Sequence, residues 1–218
     1  MNRHFKELII STYDSQYDLI NKKISDFEEI IARNDSREIF HEMVFCILAA
    51  GTSAKLAETA SEILKKDDFF IKANEREVIL KLKKCYRFYN VRGKYIVQTR
   101  EFIRSEYGFN FKKLFNSFDN KISLRNYIAT NKSFKGLGMK ASSHFLRNIG
   151  YNSLAILDFH ILDIMREHKL IRFSLKSLNM KRYLSIEKIL KDFSQEIKID
   201  LARLDLILWY IKTGTVIK

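Results

Sequence analysis

Apolar residues recur every third or fourth position along almost the whole of this sequence, and no stretch alternates in the two-residue rhythm of a half-buried strand. Residues 14–32 place Tyr17, Ile20, Ile24, Phe27, Ile30 and Ile31 on one stripe; Ile39, Phe40, Met43, Val44, Ile47 and Leu48 form a second. Others run through Tyr95, Ile96, Thr99, Phe102 and Ile103, through Ile186, Ile189, Leu190, Phe193 and Ile197, and through Leu201, Leu204, Leu208 and Trp209. With no proline in 218 residues, helix breaks are expected at Gly, Asn, Asp and Ser. Asp35 with Glu38 and Asn74 with Glu77 have capping-box spacing; Thr52 or Ser53, Ser123 and Asp200 are further expected caps, Gly51 and Gly214 expected stops. The pattern predicts an all-α protein of roughly ten short helices, long enough for one full core or two small lobes sharing one.

Lys and Arg number 39 against 26 Asp and Glu, a net charge of +13 that favours a polyanionic partner. Nucleic acid is favoured over a membrane surface, because no segment is a basic amphipathic helix with an aromatic face. A hydrophobic fraction of 46% with 30% charged residues describes a globular chain rather than a disordered one. No apolar run approaches the ~20 residues of a membrane span, and the N-terminal residues do not read as a secretory signal. A cytoplasmic location is expected. The two cysteines, Cys46 and Cys85, sit in apolar helical patterns and read as small hydrophobes in a reducing compartment. They are too few for a four-cysteine iron–sulfur or zinc site, and no metal or organic cofactor is expected.

Residues 134–142, F-K-G-L-G-M-K-A-S, place two of only seven glycines two positions apart, just before a helix-forming run. Helix, G-L-G, helix reads as a hairpin whose second helix points its free N–H groups and positive dipole end into the turn, a seat for phosphate. Gly136, Gly138 and Met139 are its expected backbone, with Lys135 and Arg147 adding charge. A tight turn needing glycine only for shape is the competing account. Lys140 opens the second helix, where a cation opposes the dipole; such a site favours the neutral amine that a nucleophile needs. Eighteen residues on, Asp158 interrupts the apolar run L-A-I-L-D-F-H-I-L, both as a helix cap and as a carboxylate placed for chemistry.

G-L-G-M-K-A followed at this distance by L-D-F-H-I-L resembles the helix-hairpin-helix DNA glycosylase superfamily, whose segment is commonly L-P-G-V-G-x-K-T-A and then V-D-x-H-V. With F-C-I-L-A-A-G-T-S-A-K (45–55), R-F-Y-N-V-R-G-K-Y-I-V (87–97) and L-W-Y-I-K-T-G-T-V-I-K (208–218), the chain is most similar to the archaeal-type 8-oxoguanine DNA glycosylases. The resemblance covers most of the chain. It implies two helical subdomains flanking a cleft: a central one over about 36–150, containing the hairpin 123–149, and a second from 1–35 plus 151–218. It implies a DNA N-glycosylase and apurinic/apyrimidinic-site lyase that repairs double-stranded DNA containing 8-oxoguanine, as a monomer, by base excision. Lys140 is then the Schiff-base nucleophile and Asp158 the essential carboxylate. The carboxylate of Lys218 and the rings of Trp209 and Phe88 are expected at the damaged base. Lys135 stands where the family usually has proline, and the four-cysteine cluster of some relatives is missing. A glycosylase for another oxidised base and a non-catalytic DNA-binding hairpin remain the alternatives.

Overall fold

The computed structural model describes residues 3–172 and 178–216, and among these every regular element is helical. In chain order they are α1 (Arg3–Ser15), α2 (Tyr17–Arg33), α3 (Ser36–Ala49), α4 (Ala54–Lys65), a 3-10 turn (Lys66–Asp68), α5 (Phe69–Lys72), α6 (Glu75–Lys83), α7 (Tyr89–Tyr107), α8 (Phe111–Asn116), α9 (Lys121–Thr130), α10 (Met139–Asn148), α11 (Phe159–Glu167), α12 (Met180–Ile197) and α13 (Leu201–Thr213). No helix among the described residues is long and apolar enough to cross a membrane.

Short polar side chains set most helix starts. Asn74 and Glu77 exchange both bonds of a capping box, at 2.8 and 3.0 Å, and Ser53, Asp158 and Asp200 each accept a backbone N–H in the first turn of the helix that follows. Asp35 caps α3, but Glu38 turns away to accept from Arg33 Nε at 2.8 Å, so that box is only half formed. Ser123 is not a cap: Asn120 accepts the Ser123 N–H at 2.9 Å, so α9 begins at Lys121. Asparagine caps as well as serine, and the earlier residue won. Tyr17 lies outside its expected stripe. It is 54% exposed at the first position of α2 and packs near Tyr13 instead of entering the core.

The buried apolar residues form two clusters. One runs from Ile39 to Leu154 and is built around α3, whose residues Ile39–Leu48 are all buried; a helix covered on every side belongs at the centre of a core. The other gathers Phe5, Ile9, Ile20, Ile24 and Phe27 with residues from Ala155 to Leu208. The chain passes from one to the other between Leu154 and Ala155, just ahead of Asp158.

A polar network crosses the same junction. Arg125 on α9 is fully buried and donates from Nη1 and Nη2 to the two carboxylate oxygens of Glu187 on α12, at 2.9 Å each. Arg125 also reaches Ser143 on α10 at 3.1 Å. Glu187 Oε1 accepts the Ala155 N–H at 3.0 Å, and the Tyr183 hydroxyl donates to the Ala155 carbonyl at 2.6 Å. Segment 154–157 is therefore fastened to the hairpin helices and to α12 immediately before it delivers Asp158.

Candidate active site

The hairpin joins α9 to α10 through residues 131–138. Gly136 has φ +78°, and a Cβ there would come within 2.9 Å of the Tyr95 ring and 3.0 Å of the Arg92 guanidinium, so both conformation and space demand glycine. Gly138 differs. It is exposed, its φ of −76° is open to any residue, and a Cβ would meet no described atom within 4 Å. Its bare backbone leaves room above the start of α10, where no described side chain caps the first N–H groups. Lys135 is half-buried, its N–H fixed on Thr99 Oγ1 at 3.0 Å, and Met139 packs against the second core.

A cleft of about 880 Å³ opens beside this turn, large enough to hold a small organic ligand. Lys140, His144 and Arg147 line it at i, i+4 and i+7, one face of α10. Asp158, Phe159 and His160 enter from the start of α11, Asp205 and Trp209 from one face of α13, and Ala50–Lys55 close the far side. That loop is held by Arg92, whose Nη2 donates to the Ala50 carbonyl at 3.0 Å. The Asp158 side chain accepts the Ile161 N–H at 2.9 Å, which fixes its carboxylate at the head of the helix. Lys140 and Asp158, eighteen residues apart in sequence, thus face one cavity.

Arg147 does not lie on an outer, phosphate-gripping face. It is 2% exposed, sits over the Phe27 ring at 4.7 Å and reaches Asp205 at 3.3 Å. The spacing that puts Lys140 in the cleft carries Arg147 inward with it. Burial pushes the guanidinium below its ordinary value, opposed chiefly by Asp205. Trp209 is a cleft wall, edge-on to His160 at 5.0 Å. Phe88 stands behind the loop, half-buried against the first core and 3.9 Å from where a Gly51 Cβ would be. Lys218 lies outside the described residues; Thr215 is on the cleft.

Asp205 and His144 are the residues that sequence reasoning missed. Asp205 breaks the apolar run L-A-R-L-D-L-I-L-W just as Asp158 breaks its own, and it stands one turn before Trp209. Burial pushes its carboxyl from 3.8 up to about 6, with Asp158 adding to the rise while Arg147 and Lys140 oppose it. Between roughly pH 4 and 6 the folded chain therefore holds a proton that the unfolded chain has released, and this group's contribution to stability falls as pH rises through that window. The Asp205 carboxyl carbon is expected to titrate by NMR near 6, and higher in Lys140→Gln. An unmoved or lowered midpoint in the variant would show that the two groups do not face each other.

A family model described as 8-oxoguanine DNA glycosylase matches residues 20–199. This chain belongs to the 8-oxoguanine DNA glycosylase family. The 8-oxoguanine DNA glycosylase/AP lyase of Methanocaldococcus jannaschii is 39% identical over 203 residues, 92% of each chain. That of Korarchaeum cryptofilum is 38% identical over 202 residues, 92% of this chain and 91% of the relative. The crystal structure of the M. jannaschii 8-oxoguanine glycosylase/lyase in complex with a 15-mer DNA containing 8-oxoguanine superimposes with a TM-score of 0.90 at 35% identity, covering 99% of this chain and all of that one. The 8-oxoguanine DNA glycosylase of Thermotoga maritima gives 0.87 at 29% identity, covering 99% of each. The all-α helix-hairpin-helix architecture is shared with these glycosylases over 99% of the chain.

Proposed function

We propose that this protein excises 8-oxoguanine from double-stranded DNA and then cuts the strand at the resulting site. The convergence of Lys140 and Asp158 on one cleft beside the glycine turn carries the reading. The turn at Gly136 and Gly138 grips the DNA backbone through the free N–H groups of α10, and the lesion nucleotide leaves the stack and enters the cleft. Lys140 Nζ, as free amine, bonds to C1′ while the C1′–N9 bond breaks, and the base departs with the proton that the amine gives up through Asp158. The negative charge of Asp158 stabilises the cationic sugar and accepts the amine's proton. Opening of the sugar ring gives a Schiff base. Loss of a C2′ proton then expels the 3′ phosphate by β-elimination.

The base is told from guanine by its N7–H, a donor where guanine has an acceptor. An acceptor aimed there leaves a buried group unpaired when guanine enters, a penalty of about 1–3 kcal/mol or more. Asp205 supplies a carboxylate inside the cleft for purine N–H groups, and Trp209 offers a ring for stacking. The work is that of one chain with two helical lobes, each built on one of the two cores, and intracellular DNA is its substrate.

The test uses duplexes that each carry one defined lesion, incubated with protein and borohydride, which reduces a Schiff base to a stable amine. Covalent adduct and strand cleavage are expected with 8-oxoguanine. Equal trapping on an oxidised pyrimidine would reassign the substrate; binding without adduct on any lesion would leave only a DNA-holding hairpin.

A further inference from the structure

Phe159, at 68%, is the most exposed of the described large hydrophobic residues. A single exposed apolar side chain is ordinary on a protein surface, but this one is held in place. It is the first residue of α11, directly after the Asp158 cap, a position where helices more often carry acidic residues or proline. Its ring lies 3.8 Å from that of His160 at 38°, and His160 stands edge-on to Trp209 at 5.0 Å and 88°. All three line the cleft. A row of rings thus leads from the α13 wall to the mouth, and its outermost member has one side against His160 and the rest open to solvent.

We propose that Phe159 is a stacking platform for the nucleobase adjacent to the lesion in the same strand. The inference rests on the reading of the cleft as the seat of an extruded nucleotide. Once that nucleotide leaves the duplex, its neighbour loses a stacking partner and exposes a flat π face. Phe159 stands at the exposed end of the row, beyond His160 from Trp209, so its ring is open to a base that remains outside the pocket. The partner must combine a flat apolar face with negative charge to suit a +13 chain, and a nucleobase on its phosphate backbone has both. Base–aromatic stacking depends little on base identity, so Phe159 strengthens binding without reading sequence.

The test uses the full chain and duplexes with a stable tetrahydrofuran abasic analogue flanked on its 5′ or 3′ side by 2-aminopurine. Wild type is expected to change the fluorescence on one flank. Phe159→Ala loses that change and binds about 5- to 100-fold more weakly, with an unchanged salt slope because no phosphate contact is removed. Phe159→Tyr retains both; Phe159→Leu restores little. Binding of Phe159→Ala within twofold of wild type overturns the proposal. So does full rescue by leucine, which would mean simple apolar cover, or an association between copies of the chain that the variant abolishes. Because the analogue carries no excisable base, the outcome stands apart from catalysis. Absence of borohydride adduct on 8-oxoguanine duplexes would fail the catalytic reading while the 2-aminopurine response still decides Phe159.

Discussion

Lys140→Gln is expected to abolish the borohydride adduct on 8-oxoguanine duplexes and to lower single-turnover excision by about a thousandfold or more, about 4 kcal/mol of transition-state stabilisation. Glutamine keeps most of the length and a polar head but has no amine to bond to C1′. Fold and DNA affinity should hold, since Lys140 is half-buried at a helix start where its charge opposes the dipole. Asp158 needs a finer substitution, because its side chain also caps α11. Asparagine caps as well as aspartate, so Asp158→Asn separates the two roles. It should unfold within about 0.5 kcal/mol of wild type yet excise about 100- to 1,000-fold more slowly, the usual cost of removing one preorganised electrostatic group. Asp158→Ala loses the cap too and should be about 1 kcal/mol less stable besides. The readouts are gel trapping, single-turnover cleavage and thermal unfolding. An adduct of wild-type intensity in Lys140→Gln would remove that lysine from the chemistry, and full activity in Asp158→Asn would reduce residue 158 to a cap.

The features legible in the sequence share one property: each is local. Helical periodicity, the caps at Ser53, Asn74, Asp158 and Asp200, and the glycine-flanked turn are all decided within a few residues, and the structure holds them in place. Lys140 and Asp158 stood out because each breaks a local rule, a cation at a positive helix end and a carboxylate in an apolar run. Asp205 breaks the same rule but needed its i, i+4 relation to Trp209 to be noticed. Arg147, expected to add charge at the hairpin, differs in direction: its register with Lys140 turns it inward. Arg125 and Glu187 gave no local signal at all. They lie 62 positions apart in the sequence, and only the tertiary fold, which brings α9 and α12 to the same junction, makes them partners.

That pair carries the other large effect. Glu187→Ala should destabilise the protein by about 3–5 kcal/mol, because it strands the fully buried Arg125 guanidinium without its counter-charge. For a domain of this size each kcal/mol moves the midpoint by about 2–4 °C, so a fall of about 6–20 °C is expected in thermal unfolding. Much of this is the penalty of an orphaned charge rather than the worth of the pair, so Arg125→Met with Glu187→Leu should recover most of it. Activity should not recover in the double variant. Glu187 also accepts the Ala155 N–H, and its removal frees the segment that delivers Asp158 to the cleft. A misplacement on the order of 1 Å in a reacting group can cost about a hundredfold in rate. The double variant should therefore melt near wild type while excising far more slowly, with DNA affinity little changed since neither residue lines the cleft. A double variant that is both stable and fully active would show that the network joins the two cores and plays no part in placing the carboxylate.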